Sequence, residues 1–242
     1  MAPFPNTIAQ SGVGSAVSVY MRHVYQWMTA GLALTTVVAY GVAGTPAIRD
    51  AILGNSLVLI LLVVAQFGLV IALSAAIHKL SAGAATGLFL LYSALTGAML
   101  SSIFVVYPIA SIGTAFLVTT GTFLAMTVYG TVTRRDLTGL GNFLFMGLIG
   151  IIIAMVVNIF LQSSMMNFIV SCLGVLIFTG LTAYDTQKLR RFGEAAPLED
   201  GTAIRRGAIL GALTLYLDFI NIFLMLLQLF GGWFVINRLI RK

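Results

Sequence analysis

Two carboxylates in this sequence stand where water is not obviously available. Asp218 lies in the middle of GALTLYLDFINIFLMLLQLFG, residues 211–231, and Asp185 sits at the end of GLTAYD, just before TQKLRR. A charged Asp at the centre of a membrane helix costs at least about 2.5 kcal/mol. Such a residue is either protonated and hydrogen-bonded to a neighbouring helix, or part of an ion or proton pathway. Around Asp218 the residues Gly207, Gly211, Thr214, Asn221, Met225 and Gln228 recur at steps of three and four. That spacing puts them on one narrow face of a helix whose other faces are Leu, Ile, Phe and Tyr. The stripe is expected to turn from lipid toward protein or a watered cavity, so Thr214, Asp218, Asn221 and Gln228 are candidate pathway residues. Asp185 has a plainer alternative, an exposed pairing with Lys188 three positions on. Yet a carboxylate near a helix C-terminus faces the negative end of the dipole. Its charge must be compensated, or be of use.

The elements that carry these residues follow from composition. Of 242 residues, 60% are hydrophobic and 8% charged, whereas soluble domains are about a quarter charged. Lipid is the solvent this chain fits. A bilayer core of about 30 Å takes about 20 helical residues. Seven apolar stretches meet that length, at roughly 24–43, 56–77, 82–105, 108–131, 143–162, 168–187 and 207–230. They lack the alternation of membrane strands, so the fold class is an all-α integral membrane protein with seven transmembrane helices. Residues 1–22 form a polar, flexible lead, 23–231 the membrane domain, and 232–242 a basic tail. Small residues form stripes in the third span (Gly83, Gly87, Ala94, Ala98, Ser101) and the fifth (Gly147, Gly150, Ala154), which suits close helix packing in lipid.

Loop Lys and Arg set the orientation. With the N-terminus in the cytoplasm, nine of them, among them Arg134, Arg135, Lys188 and Arg205, lie inside and four outside. Three of those four are in the tail NRLIRK, which would return to the inner face if GGWFVINRLI dips into the membrane. The net charge of +6 is scattered over short loops, a topology signal and no nucleic-acid patch. The single cysteine, Cys172, lies inside the sixth span and excludes an internal disulfide.

The sixth and seventh spans are consecutive and antiparallel, so Asp185 and Asp218 can become neighbours. The midpoint of the two positions falls at 201.5, while the irregular segment FGEAAPLEDGTA centres nearer 197–198. The carboxylates meet only if the sixth helix runs past the membrane surface, or if tilt and an extended approach absorb the offset.

The segments LTAYDTQKLR and ILGALTLYLDFINIFL resemble the signature of the Bax inhibitor-1 family, and the match is close to its bacterial inner-membrane branch. LSAGAATGLFLLYSALTGAMLSSIF (80–104) and TRRDLTGLGNFLFMGLIGI (133–151) extend the resemblance over nearly the whole chain. It implies a bacterial inner-membrane, multi-pass protein whose seventh helix is central and surrounded by the other six. It implies a pH-sensitive calcium leak, with the family's paired aspartates at Asp185 and Asp218. A basic residue on the second helix latches the closed state in relatives. Here that span has none; Gln66 is its most polar interior residue, and His78 and Lys79 lie at its end. Two carboxylates within hydrogen-bond range share a proton and titrate as a unit. Their oxygens are also hard ligands for Ca²⁺, helped by Asn221 or backbone carbonyls. Calcium is then the transported ion, no cofactor is expected, and lipid and calcium are the partners, with the oligomeric state open.

No enzymatic activity is expected. An intramembrane aspartyl protease places its second Asp after Gly-x-Gly, but Asp218 follows Leu215-Tyr216-Leu217. A serine protease needs a histidine within the membrane, and His23 and His78 sit at span ends. A retinal protein needs a lysine inside a span, and none is present. The alternative to a channel is a non-conducting regulator of a membrane-bound quality-control protease, as some bacterial relatives are.

Overall fold

In a computed structural model, residues 7–77, 79–195 and 201–240 are described, without side chains at 7–16, 202–203 and 232–240. His78 lies outside the described residues, as do the side chains of the basic tail. The described residues form eight helices: α1 (Thr7–Gly44), α2 (Pro46–Leu53), α3 (Ser56–Ala76), α4 (Ala82–Val106), α5 (Ile109–Val132), α6 (Thr138–Leu161), α7 (Ser164–Ala195) and α8 (Gly201–Ile240). No strand occurs among the described residues. All but α2 contain a stretch long and apolar enough to cross a membrane. These seven are the expected spans, each shifted by a few residues. α1 extends back to Thr7 through most of the lead, and α8 continues as helix to Ile240 through most of the tail.

Local chemistry explains the boundaries. α2, which the apolar pattern did not announce, begins with Pro46 in its first turn, where a missing N–H costs nothing. Asn55 caps α3, its Oδ1 accepting from the N–H of Leu57 at 3.0 Å and of Val58 at 3.4 Å. α6 ends on Gln162, a non-glycine in the left-handed region at φ 49°. Asn158 holds that turn. Its Oδ1 accepts from Ser163 N–H at 3.0 Å, and its Nδ2 donates to Asn167 Oδ1 at 2.7 Å.

The chain divides into two compact units, Met1–Ser102 with Lys188–Thr214, and Ile103–Gln187 with Leu215–Lys242. In the first, α1 packs closely on α4. A Cβ on Gly97 would reach the Thr35 carbonyl oxygen, and one on Gly31 would meet the Phe89 ring. Thr35 Oγ1 donates to Ser93 O at 2.8 Å. The expected stripe is therefore only partly used: Ala98 and Ser101 are buried, but Gly87 has nothing within 4 Å. In the second unit Gly147 meets the Ile177 side chain, whereas Gly150 is open. Of the seven spans, the last is the most buried, at 67% of its apolar window against 6% to 44% for the rest.

Candidate functional site

α7 and α8 pair antiparallel. Within the first unit Gly207 lies against Phe192 and Gly211 against Leu189; within the second, Gly174 lies against Met225 and Ser171 Oγ donates to Gln228 Oε1 at 2.8 Å. Each pair is nearly equidistant from residue 200. α7 continues through TQKLRRFGEA to Ala195, a stretch rich in good helix formers, and the pairing centre so moves from the loop's 197–198 part of the way toward the midpoint of the two aspartates.

This register brings Asp185 and Asp218 into side-chain hydrogen-bond contact within the second unit. Asp218 is buried, 5% exposed, and Asp185 is half-buried. Asp218 Oδ2 has no hydrogen-bond partner among the described residues. On the same turn Phe219 packs edge-on against Phe116 and Phe123 of α5, with ring centroids 5.8 and 5.6 Å apart. Those contacts fix the rotation of α8 about its axis, and so the side on which Asp218 emerges.

α5 and α6 hold α7 from its other faces. A Cβ on Gly130 of α5 would run into the Ala183 carbonyl oxygen and lie 3.0 Å from Thr186 Cβ. A Cβ on Gly141 of α6 would strike the Tyr184 ring. Thr179, Ala183 and Thr186 share one face of α7, at spacings of four and three. Thr127 sits one turn from Gly130 on α5. The hydroxyls of Thr127, Thr179 and Thr186 are buried with no partner among the described residues. Neighbouring threonines in the same unit instead donate to the carbonyl four residues back, Thr119 to Ala115 at 2.7 Å and Thr182 to Phe178 at 2.8 Å. Buried oxygens left open in this way are where internal water binds.

Gln187 was not singled out by the sequence, yet it ties the α5–α6 loop to α7. Its Oε1 accepts from Leu137 N–H at 2.9 Å, and its Nε2 donates to Arg135 O at 2.8 Å. It is buried, as is Leu137. Gln187→Ala is expected to cost about 1–3 kcal/mol, because it strands a buried N–H, and to expose residues 133–137 to protease. Gln187→Glu keeps the acceptor and should fall between. Unfolding in detergent together with limited proteolysis measures both; an unchanged midpoint and cleavage rate in Gln187→Ala would discard this role.

The polar stripe divides. Asp218 turns into the protein, Thr214 and Asn221 are half-buried, and Gln228 is exposed. Thr214 Oγ1 donates to Leu210 O at 3.1 Å and Asn221 Nδ2 to Leu217 O at 2.8 Å, both carbonyls of their own helix. Ile209, Leu215, Tyr216 and Ile222 of α8 are among its fully buried side chains. The apolar faces bury more area than the stripe does, and Thr and Asn tolerate the less covered side by bonding back to the backbone. In the other unit, Gln66 is half-buried, and its Nε2 has no partner among the described residues. No group of three or more His, Cys, Asp or Glu occurs among the described residues, so the pair offers two carboxylates and no more.

Residues 17–233 match the family described as "Inhibitor of apoptosis-promoting Bax1". The chain belongs to the Bax inhibitor-1 family. Among family relatives, the inner membrane protein YbhL of Escherichia coli K12 is 54% identical over 230 residues, covering 95% of this chain and 97% of that one. An uncharacterised protein of Borreliella burgdorferi is 49% identical over 213 residues, covering 88% and 91%. One of Deinococcus radiodurans is 44% identical over 213 residues, covering 88% and 90%. With seven apolar helices and these relatives, this Bax inhibitor-1 family member is a multi-pass protein of the inner membrane.

Proposed function

We propose that this chain is a pH-sensitive calcium leak of the inner membrane, with the Asp185–Asp218 pair as its gate. The observation that supports it best is the contact of two carboxylates on adjacent helices, one of them buried with an oxygen unpartnered. Two carboxylates so close hold one proton between them. Removing that proton leaves two like charges that must separate or accept a cation. Calcium prefers six to eight oxygen ligands. Two carboxylates alone therefore hold it weakly, which suits an ion in transit. Asn221 and the open hydroxyls of Thr127 and Thr186 are further oxygens on the helices of this unit. Proton and calcium then compete for one site.

Calcium flux from liposomes containing only this protein tests the reading. A leak that follows internal pH is expected. No flux above protein-free vesicles would leave the non-conducting regulator of a membrane protease as the better account. The proposed orientation, N-terminus in the cytoplasm, predicts that cysteines placed in the 133–137 loop resist labelling from outside intact cells. Labelling there would invert it.

A further inference from the structure

The first unit carries a cavity of about 690 Å³ between the start of α1 and the start of α8. It belongs to neither carboxylate. On α1 it is lined by Val19, His23, Gln26, Trp27 and Ala30, and on α8 by Gly201, Ile204 and Arg205. The α1 residues recur at steps of three and four, so one face of that helix forms a wall about 16 Å long. In the sequence the apolar stretches of these two helices begin at roughly 24 and 207, just past His23 and Arg205. The cavity therefore straddles the membrane boundary. Its outer part holds Arg205 and His23, and its inner part Trp27 and Ala30.

The two ends ask for different chemistry. Arg205 is a permanent cation with a planar fork of donors that matches phosphate oxygens. His23 Nδ1 lies 2.8 Å from the Val19 carbonyl oxygen. A carbonyl can only accept, so Nδ1 carries the hydrogen. In the neutral ring Nε2 is then an acceptor, suited to a hydroxyl. The inner wall is apolar, with an indole at the depth where tryptophan anchors at membrane interfaces. We propose that this cavity binds an anionic glycerophospholipid, its phosphate on Arg205, a headgroup hydroxyl on His23, and its acyl chain along Trp27 and Ala30. A free phosphate would use the outer half only; the apolar half selects the lipid.

Trp27 reports on this directly. The chain has two tryptophans, so Trp233→Phe leaves Trp27 as the sole tryptophan in the otherwise complete protein, excited selectively at the red edge of its absorption. The protein is reconstituted in phosphatidylcholine bilayers. Phosphatidylglycerol with brominated acyl chains is compared, as a quencher, with equally brominated phosphatidylcholine. A preference for phosphatidylglycerol of about fivefold is expected, the size of one basic residue acting on an anionic headgroup. Arg205→Gln should abolish the preference and Arg205→Lys keep most of it. Excess inorganic phosphate should leave it unchanged. Equal quenching by the two lipids, or a preference that survives Arg205→Gln, would overturn the site. Loss of the preference in phosphate alone would show a free-anion site and overturn the lipid assignment.

Discussion

Gly130→Val should destabilise this protein by about 3 kcal/mol, near the upper end of what overpacking usually costs. The reason is what a Cβ there would meet. The obstacle is the main-chain oxygen of Ala183, with Thr186 Cβ beside it at 3.0 Å. A flexible side-chain tip could swing away; a helix backbone cannot, so α5 and α7 must separate. Gly130→Ala should show the same sign with a smaller size, because alanine recovers about 1 kcal/mol of helix propensity. Gly121, on the same helix, has nothing within 4 Å. Gly121→Ala should therefore be neutral or stabilising by up to about 1 kcal/mol. Unfolding midpoints of the three variants, compared under one detergent condition, decide the matter. If Gly130→Ala proves as stable as Gly121→Ala, the close α5–α7 seam is wrong. The seam also bears on the proposed function: Thr186 adjoins Asp185, so a forced separation should blunt the pH response of the proposed leak even where the protein still folds.

How much of this could be read beforehand depends on which physical property carries the signal. The seven spans were legible because lipid solvation acts on whole stretches, and uninterrupted apolar runs mark it strongly. Which face of each helix meets protein was much less legible. In this chain apolar residues cover all sides, so periodicity has little contrast to offer. Gly97 and Gly31 make the closest α1–α4 approach, while Gly87, on the stripe expected to pack, is open. The stripe of α8 shows the same limit. Asp218 turns inward, but Asn221 bonds to its own helix and Gln228 is exposed. Polarity alone did not separate a residue that needs burial from one its backbone can satisfy. Two features left local signals that hydropathy hides. α2 has Pro46 at its start, and α7 persists to Ala195 because its charged end is made of helix formers. Gln187 left none. It stands among charged residues at a helix exit, and its partners lie about fifty positions away in the chain.

The carboxylate pair gives the sharpest functional expectation. If Asp185 and Asp218 hold one proton between them, replacing either removes the shared titration and one hard oxygen. Asp218→Asn keeps size and hydrogen-bonding capacity but cannot ionise. Liposomes bearing it should lose the pH dependence of calcium flux while the protein still folds. A single-proton switch changes its two populations tenfold per pH unit. The native leak should accordingly change by roughly tenfold or more across the transition, and each variant should be nearly flat. Asp185→Asn should act as strongly as Asp218→Asn, although Asp185 is only half-buried, because both break the same unit. The double variant should be no worse than either single one, since residues in direct contact are not additive. Two independent structural aspartates behave otherwise. Asp185→Asn, nearer the surface, would then be almost silent, and Asp218→Asn, buried with Oδ2 unpartnered among the described residues, would alter stability and leave the pH profile in place. Unfolding midpoints taken alongside the flux separate these cases. An unaltered pH profile in Asp185→Asn would mean that the contact of the two carboxylates is packing and that the gate lies elsewhere.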